Sequence, residues 1–511
     1  MSRTFDGTED AGEADWTWVG DRRERGVGRR SVLRAAGAAG TASLLPAGTA
    51  AVTGSAGVGT ASAAEGSGYR FVSEAAVPNP TDVKIDGTWA FAATGDSISV
   101  VDVSNPRLPT LADRQPAENA FWEDLKLGGA DGNIASLAQD ADDPGGILLY
   151  DTSGPANLER GRLYRAGEGI HNHFIDDNRD VAYLCVSDPF TNPRVVIVDI
   201  GGGLSDTDTV DVPITREEAA NDDTVLSIFR LSDVNPDMAA AGLNPCHDLF
   251  VEHREERGGR DVAHVCFWDA GVVSVDVTDP TDPVALAHFN AVEDADVEPR
   301  STTEFYSRYI GMPGNSHYTR PTPDGEYLFV GAEAYPDPTG TAIPEEHGGI
   351  KVFDLSAVGL QSPLDPDSPR YDPQSPAPVE RIAPPEEPEY GALRTSHNFD
   401  FSDDGSRFYS VWYQGGVRGY DTSDPTDITE LASFLSPNGN AFWEAQALDL
   451  PDDDPDARYT VASDRNGKGL VVLELVDEET GPFGTPSATD VKDSRPELTD
   501  VFGGTMAQPF E

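Results

Sequence analysis

Basic residues are scarce in this 511-residue chain: 36 Lys and Arg stand against 89 Asp and Glu, and only five of the bases are Lys. With no basic patch to neutralise phosphates, nucleic-acid binding is excluded. Apolar runs are short, and beyond the N-terminal region none reaches the roughly 18 residues that a spanning helix needs. The three cysteines, Cys185, Cys246 and Cys266, are an odd number and cannot form a complete disulfide framework. No GxSxG, Walker-type or Rossmann glycine signature stands between a strand and a helix. The glycines of DIGGGLSD (Asp199 to Asp206) read as a turn, so no nucleotide cofactor is expected.

What the chain does have is repetition. Aliphatic runs closed by an acid occur seven times: SISVVD (Asp102), ILLYD (Asp151), VVIVD (Asp199), VVSVD (Asp276), IKVFD (Asp354), VRGYD (Asp421) and LVVLE (Glu474). Their acids lie 48 to 78 residues apart, and Ser, Thr or Pro often follows. Such a run suits a buried strand, and the Asp can accept from nearby backbone amides where the strand ends. Counting back in each repeat places the start of a first strand at Thr81, Glu123, His171, His247, His317, His397 and Glu444. Glu123 and Glu444 sit in nearly identical words, NAFWEDLKL and NAFWEAQAL.

Repeats of this length, with several short strands each, predict an all-β, seven-bladed β-propeller. Blade six is typical: TSHNFDF, RFYSVWY, GVRGYDT and ITELASF are separated by turns. The seventh repeat shows three strands after Glu444, and YRFVSEAAV (Tyr69 to Val77) stands unassigned ahead of blade one. The economical solution is that this N-terminal strand completes blade seven, which removes the free sheet edges.

The words DVSNP, DVTDPTDP and DTSDPTD behind the aliphatic runs resemble the LVIVD repeat of secreted prokaryotic propellers, many of them haloarchaeal. That resemblance spans about residues 69 to 476. It implies the fold and says little about function, because fold alone does not fix function.

Three segments follow. Residues 1–64 contain the paired Arg29 and Arg30 before a weakly apolar Ala/Gly/Leu stretch, which resembles a twin-arginine export signal with cleavage near Ala63 or Ala64. Residues 65–476 form the propeller, and 477–511 an irregular tail. Seven acids and seven bases lie in residues 1–64, so the remainder keeps the full formal charge of −53. Acidity of that density fits a protein of high-salt surroundings, exported folded to the cell surface or beyond.

Four of the nine histidines, His171, His247, His317 and His397, share one register of the repeat in four consecutive blades. Rotation-related repeats place equivalent residues around one axis, where imidazoles can converge on a metal. Neutral imidazoles suit Fe, Cu, Zn or Mn and disfavour Ca or Mg. Glu123 and Glu444 are candidates for further ligands or for holding a histidine's second nitrogen. Thr81, His173 and Cys246 are candidate channel-lining residues. Residues 215–243 and 290–313, which precede His247 and His317, look partly helical and read either as a lid over the mouth or as ornamental loops. The ring is similar in kind to that of carotenoid-cleavage oxygenases, and the blade words resemble those of the selenium-binding protein or methanethiol oxidase family. Neither likeness extends to a full motif. A repeated histidine also serves propellers as a strut between blades. Two function classes therefore stay open: a metal-dependent extracellular oxidoreductase acting on a small molecule, and a non-catalytic propeller binding a cell-surface protein or glycan.

Overall fold

The structure is a computed structural model. It describes residues 68–476 apart from 118–121, 140–144, 187–191, 242–243, 255–258, 293–313, 335–347, 369–370, 386–394, 436–440, 449, 451–458 and 466–468.

The described residues form seven sheets, antiparallel except for one pairing in blade two. Their first strands are Val83–Asp86, Trp122–Gly128, Ile170–Ile175, Leu249–Arg254, Ser316–Pro321, Ser396–Phe401 and Phe442–Leu448. Each first strand packs on those of the two neighbouring blades, and the seventh meets the first, so the ring is closed. Six blades are four-stranded, and blade two gains a fifth strand, Thr209–Asp211, which runs parallel to Glu159–Arg165. There is no single core. Seven apolar clusters each bridge two adjacent blades, the last joining Leu448, Val461 and Val472 of blade seven to Val83 and Ala90 of blade one. Each blade therefore depends on its neighbours for burial.

The repeated acid has a mechanical role. Asp102, Asp151, Asp199, Asp276, Asp354 and Asp421 each accept, through Oδ1, the N–H two residues ahead at 2.8–3.0 Å. This bond turns the chain at the end of the third strand. The seventh acid does something else. Glu474 takes the Arg70 guanidinium, with Nε donating to Oε2 at 3.0 Å.

Arg70 lies on Tyr69–Ala75, which pairs antiparallel with Gly469–Leu475 as the outer strand of blade seven. The N-terminal strand thus closes the ring. Gly469, at φ +94°, permits the approach: a Cβ there would lie 2.1 Å from the Ala75 carbonyl oxygen.

The described residues of 215–243 are partly helical, as their periodicity suggests, and also supply a blade strand. They contain the outer strand of blade three, Val225–Arg230, flanked by the short helices Arg216–Ala219 and Pro236–Ala241. Met238 and Ala239 pack into the cluster between blades three and four. The apolar periodicity of this segment therefore reflects burial against the blades. Most of 290–313 lies outside the described residues.

Candidate metal centre

One register position builds the mouth of the ring. The residue opposing the end of the second strand is Trp122, Ile170, Ser316, Ser396 or Phe442 in blades two, three, five, six and seven. The next residue sits at a bulge, where the ladder shifts by one, and this is the ring position. It carries Glu123, His171, His317, His397 and Trp443 in those blades. The backbone bonds His247 N–H to Cys266 O and Thr81 N–H to Ala93 O put His247 and Thr81 at the same level in blades four and one.

Glu444 therefore does not stand level with Glu123. The shared word NAFWE shifts by one residue between the two blades, since Trp122 and Phe442 occupy equivalent places. Trp443 fills the ring position, and Glu444 lies one residue deeper, fully buried, with Oε1 accepting from Gln446 Nε2 at 2.5 Å.

The four histidines form a continuous run of edge-on and tilted ring contacts. Ring centroids are 4.4 Å apart for His171–His247, 4.2 Å for His247–His317 and 4.4 Å for His317–His397. Trp443 continues it at 4.2 Å from His397. The Arg465 guanidinium lies 4.0 Å above Trp443, and its Nη2 is 3.5 Å from Glu123 Oε1. Thr81, in blade one, bonds the Ala93 and Trp122 carbonyls at 3.2 and 3.3 Å, tying blade one to blade two.

Donor atoms within 4.8 Å of one another are offered by His247, His317 and Glu333, the one such group of three among the described residues. Glu333 follows the second strand of blade five (Tyr327–Ala332). Its Oε2 lies 3.7 Å from His317 Nε2 and 4.0 Å from His247 Nε2. Both separations are too long for hydrogen bonds. They match two donors on one ion, since metal bonds of about 2.0–2.2 Å put neighbouring ligands roughly 3–4 Å apart. His171 and His397 flank the group through ring contacts with His247 and His317, so the donors closest together are two of the four expected histidines and one carboxylate.

The surroundings fix these side chains. Tyr413 donates its hydroxyl proton to Glu333 Oε1 at 2.6 Å, which leaves Oε2 turned to the histidines. Burial and the neighbouring Glu333 carboxylate hold the Tyr413 hydroxyl well above its ordinary pKa, so it stays a donor. The Asn172 amide lies 3.4 Å from His247 Nδ1. The Trp268 ring covers His247 at 4.9 Å, on a backbone held at φ +51°, a left-handed conformation that costs strain. His397 Nδ1 donates to the Trp443 carbonyl at 2.6 Å. Burial, and then the nearby basic groups including the other imidazoles, push His317 and His397 well below the ordinary histidine value. Neutral imidazoles are the form that ligates metal.

His173 does not line the channel. Its Nδ1 is 2.7 Å from Asp124 Oδ2 and its Nε2 bonds the Ser136 hydroxyl, fully buried between blades two and three. It is a strut. Cys246 also points away from the axis, into the apolar cluster between blades three and four and against Cys185. Glu333, Tyr413, Trp268 and Arg465 escaped the sequence reading. Glu333, Tyr413 and Arg465 directly follow a second strand, and Trp268 lies two residues beyond one, positions that the recurring first-strand histidines do not mark.

The LVIVD repeat matches residues 79–114, in blade one. No curated protein matches the chain. Similar solved structures include the Myceliophteria thermophila Cps50 (Swd1) β-propeller domain, 12% identical with TM-score 0.48, covering 80% of this chain and 100% of that one. Kuenenia stuttgartiensis hydrazine synthase is 12% identical with TM-score 0.48, covering 79% of this chain and 98% of that one. Saccharomyces cerevisiae Sqt1 is 10% identical with TM-score 0.43, covering 79% and 87%. With the family match lying in a ring of seven four- and five-stranded sheets, the chain is a seven-bladed β-propeller that carries the LVIVD repeat.

Proposed function

We propose that this protein is an exported, halophilic propeller that binds a transition metal at the mouth of its channel and carries out redox chemistry on a small molecule there. The observation behind the reading is the His247–His317–Glu333 group, in which two imidazoles and one carboxylate share a region the size of a coordination sphere. Two histidines and a carboxylate leave coordination positions open, the pattern of Fe(II) oxygenase sites and of catalytic zinc. The metal would supply Lewis acidity or electron transfer. The protein's own groups hold the site: Tyr413 orients Glu333, and Trp268 excludes water from the imidazoles. His171 and His397 would flank a bound molecule without ligating.

The export reading rests on Arg29 and Arg30 with the apolar stretch behind them, and the halophilic reading on the acid excess. Export of a folded chain would let the metal be loaded first. Elemental analysis of protein from its own high-salt secretion route tests the proposal. About one Fe, Cu, Zn or Mn per chain is expected in the wild type, and none in His317→Ala or Glu333→Ala. Metal-free wild-type protein, or metal retained in both variants, sinks it.

The alternative, a non-catalytic propeller for a protein or glycan, is favoured by a cleft between the outer strands of blades three and four. Phe229 and Val284 line its two sides.

A further inference from the structure

One residue below the histidine ring stand four acids, Asp124 and Glu444 on the first strands of blades two and seven and Asp82 and Asp248 just ahead of those of blades one and four. All four are buried, none more than 3% exposed. Two of the chain's five lysines meet them. Lys84 Nζ lies 2.8 Å from Asp82 Oδ1 and 3.3 Å from Glu444 Oε1. Lys126 Nζ lies 2.5 Å from Asp124 Oδ1 and, reaching past blade three, 3.8 Å from Asp248 Oδ2. Each ammonium group is thus divided between two carboxylates, and the layer holds four acids for two lysines. The words DVK (Asp82 to Lys84) and DLK (Asp124 to Lys126) are the trace of this arrangement in the sequence.

A surplus of negative charge at zero exposure is costly unless something compensates it. Three buried oxygens of this layer have no hydrogen-bond partner: Glu444 Oε2, Asp248 Oδ2 and Asn398 Oδ1. Asn398 occupies the same register in blade six, and its side chain also hydrogen-bonds Glu444. These oxygens come from three blades at one level of the channel, and of them only Asp248 Oδ2 faces an ammonium group, at the 3.8 Å of Lys126. All are hard oxygen donors, without an imidazole or thiolate among them.

We propose that this layer binds one hard divalent cation of the calcium class through Glu444, Asp248 and the Asn398 side-chain oxygen, with water completing its shell. One divalent ion matches the surplus of two carboxylates. Oxygen-only ligation selects calcium over the transition metals suited to the histidine group above. The two sites are separate in donor chemistry, so this one does not rest on the reading of the mouth.

The test is calorimetric titration of calcium chloride into full-length, chelator-treated protein in molar KCl, which screens the acidic surface. One saturable calcium ion per chain is expected. Glu444→Gln and Asp248→Asn should each weaken it by about tenfold or more, because affinity follows ligand charge. Asn398→Asp should tighten it, which keeps the proposal testable if a charge-removing variant fails to fold. His247→Ala should leave calcium binding unchanged while removing the transition metal. Absence of saturable calcium from the wild type would overturn the proposal and assign the surplus charge to bound protons. Saturable calcium that is insensitive to Glu444, Asp248 and Asn398 would place the ion among surface acids and overturn it equally.

Discussion

The Tyr413 hydroxyl donates to Glu333 Oε1 at 2.6 Å, while the other oxygen of that carboxylate faces His317 and His247. These two residues follow the second strands of adjacent blades, so the propeller's rotation brings the donor beside the acceptor. Tyr413→Phe keeps the ring and removes one hydrogen bond. Metal affinity should fall about 10- to 100-fold, the usual cost of losing a group that orients a ligand. Thermal unfolding of the metal-free protein should change little. A competition titration with a chelator measures the first, and equal affinity in the two proteins would show that Tyr413 does not orient Glu333.

Ring closure makes a prediction about stability. Gly469→Ala places a Cβ 2.1 Å from the Ala75 carbonyl in a left-handed backbone conformation. The outer strand of blade seven must then shift, at a cost of about 2 kcal/mol or more. Deleting residues 69–76 should go further and abolish cooperative unfolding, since blade seven would lose its fourth strand. Calorimetry of both variants reads the effect, and an unchanged unfolding transition in the deletion variant refutes the closure.

His288 supplies a pH dependence away from the metal group. It is buried, with Nε2 bonded to the Ala270 carbonyl at 2.6 Å and Nδ1 bonded to the Tyr371 hydroxyl. Burial lowers its pKa to about 4, even though the Ala270 carbonyl raises it. The unfolded chain takes up this proton near pH 6.5 and the folded chain only near pH 4, so protonation favours unfolding across that window. The stability held by neutral His288 is therefore complete above about pH 6.5 and is lost as pH falls toward 4, by roughly 3 kcal/mol at most. The difference in stability between wild type and His288→Gln should shrink over the same range. A difference independent of pH would count against a neutral, buried His288.

Salt should act on the whole molecule. A formal charge of −53 repels itself in dilute buffer and is screened at molar salt, where the Debye length is about 3 Å. The unfolding temperature should rise steeply with KCl concentration. Equal stability at low and molar salt would contradict the halophilic reading.

Much of the fold was legible because each repeat writes the same physics in the same order. The aliphatic run, the terminal Asp and the following Ser or Thr specify a buried strand and its turn, and Tyr69 to Val77 could be placed because blade seven lacked one strand. The site was less legible. His171, His247, His317 and His397 were visible through their shared register, but Glu333 belongs to a position occupied by Trp268, Tyr413 and Arg465 in neighbouring blades. No single residue type marks it. Glu444 was misplaced because the bulge at the ring position changes the register within an otherwise conserved-looking word, and a word carries no pairing information. His173, two residues past His171, has the spacing for either the channel or packing between blades, and the same bulge turns it between the blades, where Asp124 and Ser136 hold it.

The closing strand has a consequence for the order of events in synthesis. Tyr69–Ala75 leaves the ribosome before any blade, yet its partner Gly469–Leu475 is the last of the described strands to be made. Until then the first strand has nothing to pair with, and a chain broken off anywhere in between cannot seal the circle. The junction of Arg70 with Glu474 therefore exists only once the third strand of blade seven has been made, and the contact beside the N-terminal strand reports that all seven blades are in place.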